Sequence, residues 1–252
     1  ARGYNVIVCL SGESLEKEVV NMQMLANGSI DGFIISLARE TQAKKDFRHL
    51  QEVAEQGMPI VMFDRVAEEV ASDKAIVDDR MAAHEAVSYL LSCGCRRIAL
   101  ITTTDDLSVG RLRTEGYKQA LKDHGISLDL DLVVKIGDNG TSEEQISALF
   151  DQQEFDGVFA VNEFFAVTGM KVAGKKGLRI PEDVSFVGFT DGILSRTATP
   201  ALTTVAQHGM EMGEASAQLL IDRLESEEIE RSFCTQIIPT SLIIRDSTKN
   251  PG

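Results

Sequence analysis

Basic residues are scarce: 25 lysines and arginines face 39 aspartates and glutamates, a formal charge of −14 over 252 residues. Such a surface repels a polyanion unless basic side chains cluster, and no cluster occurs, so this segment does not hold nucleic acid by itself. The sequence lacks any apolar run near the roughly 20 residues of a membrane span, and no signal-peptide pattern opens it. Cysteines are few. Cys9, Cys93, Cys95 and Cys234 show no disulfide-framework spacing, and one residue between Cys93 and Cys95 is too little for a zinc knuckle. All four thiols are expected to be buried or half-buried in a reducing compartment, which favours the cytoplasm.

Signatures of chemistry are missing too. Neither G-x-G-x-x-G nor G-x-S-x-G occurs. Gly169-Met-Lys-Val-Ala-Gly-Lys-Lys176 superficially resembles a phosphate loop, but Lys176 stands where that loop needs a hydroxyl for magnesium. It reads instead as a helix running to a stop at Gly177. The histidines (His49, His84, His124, His208) are scattered, with no second ligand at i+3 or i+4. No serine, histidine and acid grouping is legible. The sequence gives no reason to expect an enzyme, a cofactor or a metal.

What is present is ordinary globular composition, 43% apolar and 25% charged. The length suits one large or two smaller α/β lobes. Nearly continuous apolar runs predict strands at Val6–Leu10, Phe33–Ser36, Ile60–Phe63, Ile98–Thr102, Leu132–Ile136, Val158–Val161 and Val184–Phe189. Amphipathic segments separate them, with Leu15, Val19, Met22 and Ala26 on one helical face. Ala83, Val87, Leu90 and Leu91 form another stripe ending at Gly94, and Thr141 with Glu144 has capping-box spacing. Asp78-Asp79 most simply caps the helix beginning near Arg80. This alternation predicts a doubly wound α/β architecture. A β-like piece at 200–205, a helix near Met210–Leu224 and a strand pair near Phe233–Ile238 and Ser241–Arg245 break the rhythm at the end.

In open α/β sheets, ligands bind beyond the carboxyl ends of the strands. Those ends carry Ser36, Asp64-Arg65, Thr102–Thr104, Asn162-Glu163 and Thr190-Asp191, with Arg111 and Arg113 on the helix after Thr102. Such a set of donors and acceptors suits a polyhydroxylated small molecule.

The stretch Ile180-Pro-Glu-Asp-Val-Ser-Phe-Val-Gly-Phe189, followed by Thr190-Asp191 and Pro200-Ala-Leu-Thr-Thr-Val205, resembles the signature of the lactose-repressor (LacI/GalR) family of bacterial transcription regulators. Ile30-Asp-Gly-Phe-Ile-Ile-Ser36, Pro59-Ile-Val-Met-Phe-Asp-Arg65, Gly94-Cys-Arg-Arg-Ile-Ala99, Arg113-Thr-Glu-Gly-Tyr117, Asp156-Gly-Val-Phe-Ala-Val-Asn162 and Met212-Gly213 agree in order and spacing. The resemblance covers nearly the whole chain. It implies a periplasmic-binding-protein type I fold: two doubly wound lobes joined by three crossovers, near Asp78, Thr199 and Thr235. The lobes are then 1–78 with 200–234, and 79–199 with 235–252. It also implies a homodimer whose small effector, a sugar or sugar derivative in the cleft, changes the operator affinity of an N-terminal helix-turn-helix. That headpiece and the family's first strand and helix have no counterpart here, so the chain is expected to be part of a longer polypeptide.

By the resemblance, Arg113 is the arginine that binds effector hydroxyls, Asn162 the asparagine at the next strand end, and Ser36 and Asp64 further cleft positions. Where members often carry a ligand aspartate just after the Gly-Phe pair, this chain has Thr190, with Asp191 one place later. Asn139 stands where members often carry an aromatic platform. Two other readings are a periplasmic sugar-binding protein of a transport system, against which the unpaired cysteines count, and an enzyme on a doubly wound sheet, for which no catalytic set is found.

Overall fold

Apolar runs fold as strands here where neighbouring strands pair with them and the helices that alternate with them pack on the sheet. The computed structural model describes residues 3–104, 107–137, 140–226 and 232–251. In chain order it holds α1 (Leu15–Ala26), β1 (Phe33–Ile35), α2 (Arg39–Lys44), α3 (Arg48–Glu55), β2 (Ile60–Phe63) and β3 (Asp73–Val77). Next come α4 (Asp79–Ser92), β4 (Ile98–Thr103), α5 (Ser108–Asp123), β5 (Val133–Ile136), α6 (Ser142–Gln152) and β6 (Gly157–Ala160). The chain continues through α7 (Glu163–Lys175), β7 (Ser185–Phe189), α8 (Ile193–Thr197), β8 (Thr203–Ala206), α9 (Gly209–Leu224), β9 (Thr235–Ile238) and β10 (Ser241–Ile243).

The chain divides into two units. Unit 1 is 1–76 with 209–237, and unit 2 is 77–208 with 238–252. Unit 1 carries a four-stranded sheet ordered β1-β2-β3-β9. Its core joins Met22, Phe33, Leu50, Ile60 and Met62. Unit 2 carries a six-stranded sheet ordered β10-β8-β7-β6-β4-β5, in which only β10 runs antiparallel to its neighbour. Its core extends from the α4 stripe through Leu100, Tyr117, Phe159 and Phe186.

Helix starts follow local chemistry. Asp78 accepts the Met81 N–H at 2.9 Å. Thr141 and Glu144 form the expected reciprocal capping box. The phosphate-loop lookalike is the end of α7, and Gly177 beyond it has a φ of +77°, where a side chain is disfavoured.

Several expectations are corrected. Val6–Leu10 belongs to no sheet among the described residues: it lies exposed, Val6 at 84% and Leu10 at 85%. Apolar alternation marks a chain as able to be a strand, but only a neighbouring strand satisfies its backbone. The crossovers fall at 76/77, 208/209 and 237/238, so 200–208 lie in unit 2 rather than with 1–78. The reason is β8, whose Thr203 and Val205 pair with Val187 and Phe189 of β7. The last two strands do not pair with each other: β9 joins unit 1's sheet and β10 pairs with β8. β3 was not expected, because its Asp73 and Lys74 disguise it. Both are buried, Asp73 against Arg223 at 2.5 Å and Lys74 against Glu68 at 2.7 Å. Cys93 and Cys95 are buried as expected, and burial pushes the Cys95 thiol up to about 11. Cys9 and Cys234 are exposed instead.

Candidate functional site

In unit 2, β4, β6, β7 and β8 run parallel, so their carboxyl ends open on one side. Arg113, on α5, is the hub there. The residue is 5% exposed, its Nε donates to Asp79 Oδ1 at 2.7 Å, and its Nη1 donates to the Val161 carbonyl at 2.7 Å. The guanidinium carbon stands 3.6 Å from the centre of the Phe189 ring. Four elements thus fix one cation: the start of α4, α5, the end of β6 and the end of β7. The pairing with Asp79 matters energetically, because either charge buried alone is costly.

Asn162 follows directly on Val161. Its side-chain oxygen accepts the Phe165 N–H at 2.8 Å, capping α7. The amide nitrogen takes no part in that cap. Thr190 follows Phe189 with a φ of +76° and donates its hydroxyl to Gln207 Oε1 at 2.6 Å. The Thr190 carbonyl accepts from Ser195 and from Thr204, each at 3.1 Å. Glu163 accepts the Ser195 hydroxyl at 2.8 Å and packs so closely on Gly192 that an added Cβ would lie 2.1 Å from its carboxylate.

Asp191 is differently placed. Its carboxylate accepts from Arg245 at 2.6 Å and from Arg196 at 2.9 Å. Burial pushes its pKa up, but the hydrogen bonds from Arg245 and Arg196 outweigh this and hold it below the ordinary aspartate value. It works as a clasp between the β7 end and the segment after β10.

In unit 1, Ile35 of β1 lies opposite Met62 of β2, so Ser36 and Asp64 leave neighbouring strand ends. Asp64 has a φ of +56° and its N–H donates to the Ala75 carbonyl at 3.2 Å. Arg65 forks onto Glu13 with bonds of 2.7 and 2.8 Å, which holds the Glu13 carboxyl below its usual pKa. Glu18 is buried and accepts the Ala38 N–H at 2.6 Å, the Thr41 hydroxyl at 2.7 Å and a contact from His49 Nε2 at 2.9 Å.

Of the expected site residues, Arg113, Asn162 and Thr190 come together at one end of unit 2, with Asp191 turned into its arginine clasp. Ser36 and Asp64 adjoin in unit 1, and Asn139 lies outside the described residues. Arg111 points elsewhere, to Glu115 at 3.1 Å. Sequence reasoning missed Asp79, Phe189 and Gln207 as partners of the set. Two adjacent acids at 78–79, where one suffices to cap a helix, were the available signal for Asp79. No group of three or more metal-ligating side chains occurs among the described residues. No helix among them is long and apolar enough to cross a membrane.

Residues 87–248 match the model of the periplasmic binding protein-like domain. The ribose operon repressor of Halalkalibacterium halodurans is 31% identical over 254 residues, covering 98% of this chain and 71% of that protein. A transcriptional regulator solved as the CelR–cellobiose complex has 29% identity and a TM-score of 0.81, over 93% of this chain and 71% of that one. A LacI family transcriptional regulator from Enterococcus faecium with bound ribose has 29% identity and a TM-score of 0.80, over 97% and 87%. With these matches running nearly end to end over a doubly wound pair of sheets, the chain belongs to the periplasmic-binding-protein-like domain family, among the LacI-family transcriptional regulators.

Proposed function

We propose that this chain is the effector-sensing part of a LacI-family repressor and binds a small polar metabolite, a sugar or sugar derivative. The observation that carries this is Arg113, fixed by Asp79, the Val161 carbonyl and Phe189 beside Asn162 and Thr190. Arg113 and Asn162 donate to ligand hydroxyls, while Thr190 lines the same strand ends. Ser36 and Asp64 supply a second polar set from unit 1. Asp191 acts indirectly, by holding the Thr190 turn. The relatives are transcription regulators, which favours this role over a transport protein. The chain itself performs no chemistry on its ligand.

Operator DNA is contacted by a segment outside this chain, as its acidic charge requires, and the working place is the cytoplasm, where operators are. The working form is a homodimer. Exposed Phe164, Ile193 and Leu194 lie on α7 and α8, which pack together, and supply an apolar face in unit 2. An effector acts by binding two arrangements of the protein unequally.

The test is thermal-shift screening against monosaccharides, sugar acids and nucleobases, followed by calorimetry on Arg113→Ala. A cleanly bound ligand raises the melting temperature. Arg113→Ala is expected to weaken binding at least tenfold, since a hydrogen bond to a charged group contributes about 1.5–3 kcal/mol. The substitution also strands Asp79, so ligand-free melting is measured alongside. Unchanged affinity removes Arg113 from the site.

A further inference from the structure

A guanidinium at the centre of a polar site ordinarily attracts anions, because its planar fork matches a carboxylate or phosphate with two parallel hydrogen bonds. Arg113 meets a ligand with part of that fork and its charge already engaged. The fork has two usable edges, one made by Nε with Nη2 and the other by the two Nη atoms. Asp79 Oδ1 occupies Nε at 2.7 Å and the Val161 carbonyl accepts from Nη1 at 2.7 Å. Phe189 covers one face at 3.6 Å. Nε has therefore given up its one N–H and Nη1 one of its two, so the edge made by Nε with Nη2 keeps a single donor and the fork is partly spent before a ligand arrives. The charge is matched as well, since Asp79 is itself 4% exposed and sits in direct contact. A ligand hydroxyl satisfies the remaining N–H donors fully, whereas an anion also meets the charge of Asp79.

We propose that Asp79 is a specificity-determining residue, which spends the fork and the charge of Arg113 so that the unit 2 strand ends take neutral hydroxylated ligands and refuse anionic ones. This rests on the reading of those strand ends as the effector site. Asp79 acts through Arg113 and is a positioning residue.

Asp79→Asn keeps the size of the side chain and removes the charge. Calorimetric titration with inorganic phosphate is expected to show at least tenfold tighter binding to this variant than to wild type. The gain should vanish in the double variant Asp79→Asn, Arg113→Gln. A merely structural role for Asp79 produces no gain of anion affinity, so equal phosphate binding by wild type and Asp79→Asn overturns the proposal. If Asp79→Asn does not fold, wild type decides by paired titrations with neutral sugars and their uronates and by phosphate. Preference for any uronate over its parent sugar, or phosphate binding that Arg113→Gln abolishes, overturns it. Preference for the neutral sugar, or no Arg113-dependent phosphate binding, supports it. Failure of the effector reading looks different: wild type then binds no sugar, while Asp79→Asn still gains phosphate affinity.

Discussion

In unit 2 a six-stranded sheet packs against several helices, and the carboxyl ends of its strands are braced by charges from its own elements. Unit 1 has four strands, a smaller core and a polar end held mainly through two glutamates that reach loop amides. Arg113 is locked by a strand carbonyl, a helix-start carboxylate and an aromatic ring. Ser36 and Asp64 depend on Glu18 and Glu13, which grip Ala38, Thr41, Arg39 and Arg65. The difference locates rigidity. Unit 2 presents a preformed donor, while unit 1 presents loop ends whose position rests on a few hydrogen bonds.

The strongest way to break this comparison is Phe159→Ala, in the middle of unit 2's core. Truncating a fully buried phenylalanine costs about 3–5 kcal/mol. Hydrogen exchange is expected to lose protection across β4, β6 and β7 first, with α3 amides in unit 1 less affected. Equal loss in both units would make them one cooperative body. A smaller effect is expected from Glu18→Gln, which removes a buried charged acceptor from Ala38, Thr41 and His49. The cost is about 1–3 kcal/mol, read by urea denaturation. An unchanged midpoint would mean that the unit 1 loops are held by other means.

The smallest expected effect is on acid stability. Asp191 in unit 2 and Glu13 in unit 1 both have pKa values lowered on folding. Each contributes stability fully present above the ordinary carboxylate range and lost as pH falls through the lowered value, that is below about pH 4. Asp191→Asn and Glu13→Gln should each flatten part of the fall in melting temperature between pH 5 and pH 3, about. If only one does, the acid sensitivity belongs to that unit.

Much of this was legible in the chain. Runs such as Ile98–Thr102 and Ile60–Phe63 are apolar enough to declare buried parallel strands, and the 141–144 box declares its helix. Sheet membership was not, because a four-residue strand such as Thr203–Ala206 looks alike whichever sheet it joins. Nor was β3, whose Asp73 is neutralised by a partner distant in sequence, Arg223 lying 150 positions away. In the site, Arg113 and Asn162 stood at strand exits where polar residues are informative. Asp79 read only as a helix start: the doubled acid marked it as surplus to a cap, but nothing local names a partner 34 positions away.

The uncharged stretch from Tyr4 to Leu10 has practical weight for anyone handling this polypeptide. It is rich in valine and isoleucine, lacks proline and lies exposed outside both sheets. Segments of that kind zip onto copies of themselves. A lysine in place of Val6 or Val8 is therefore expected to lower self-association of this polypeptide, read by light scattering, with both sheets unchanged.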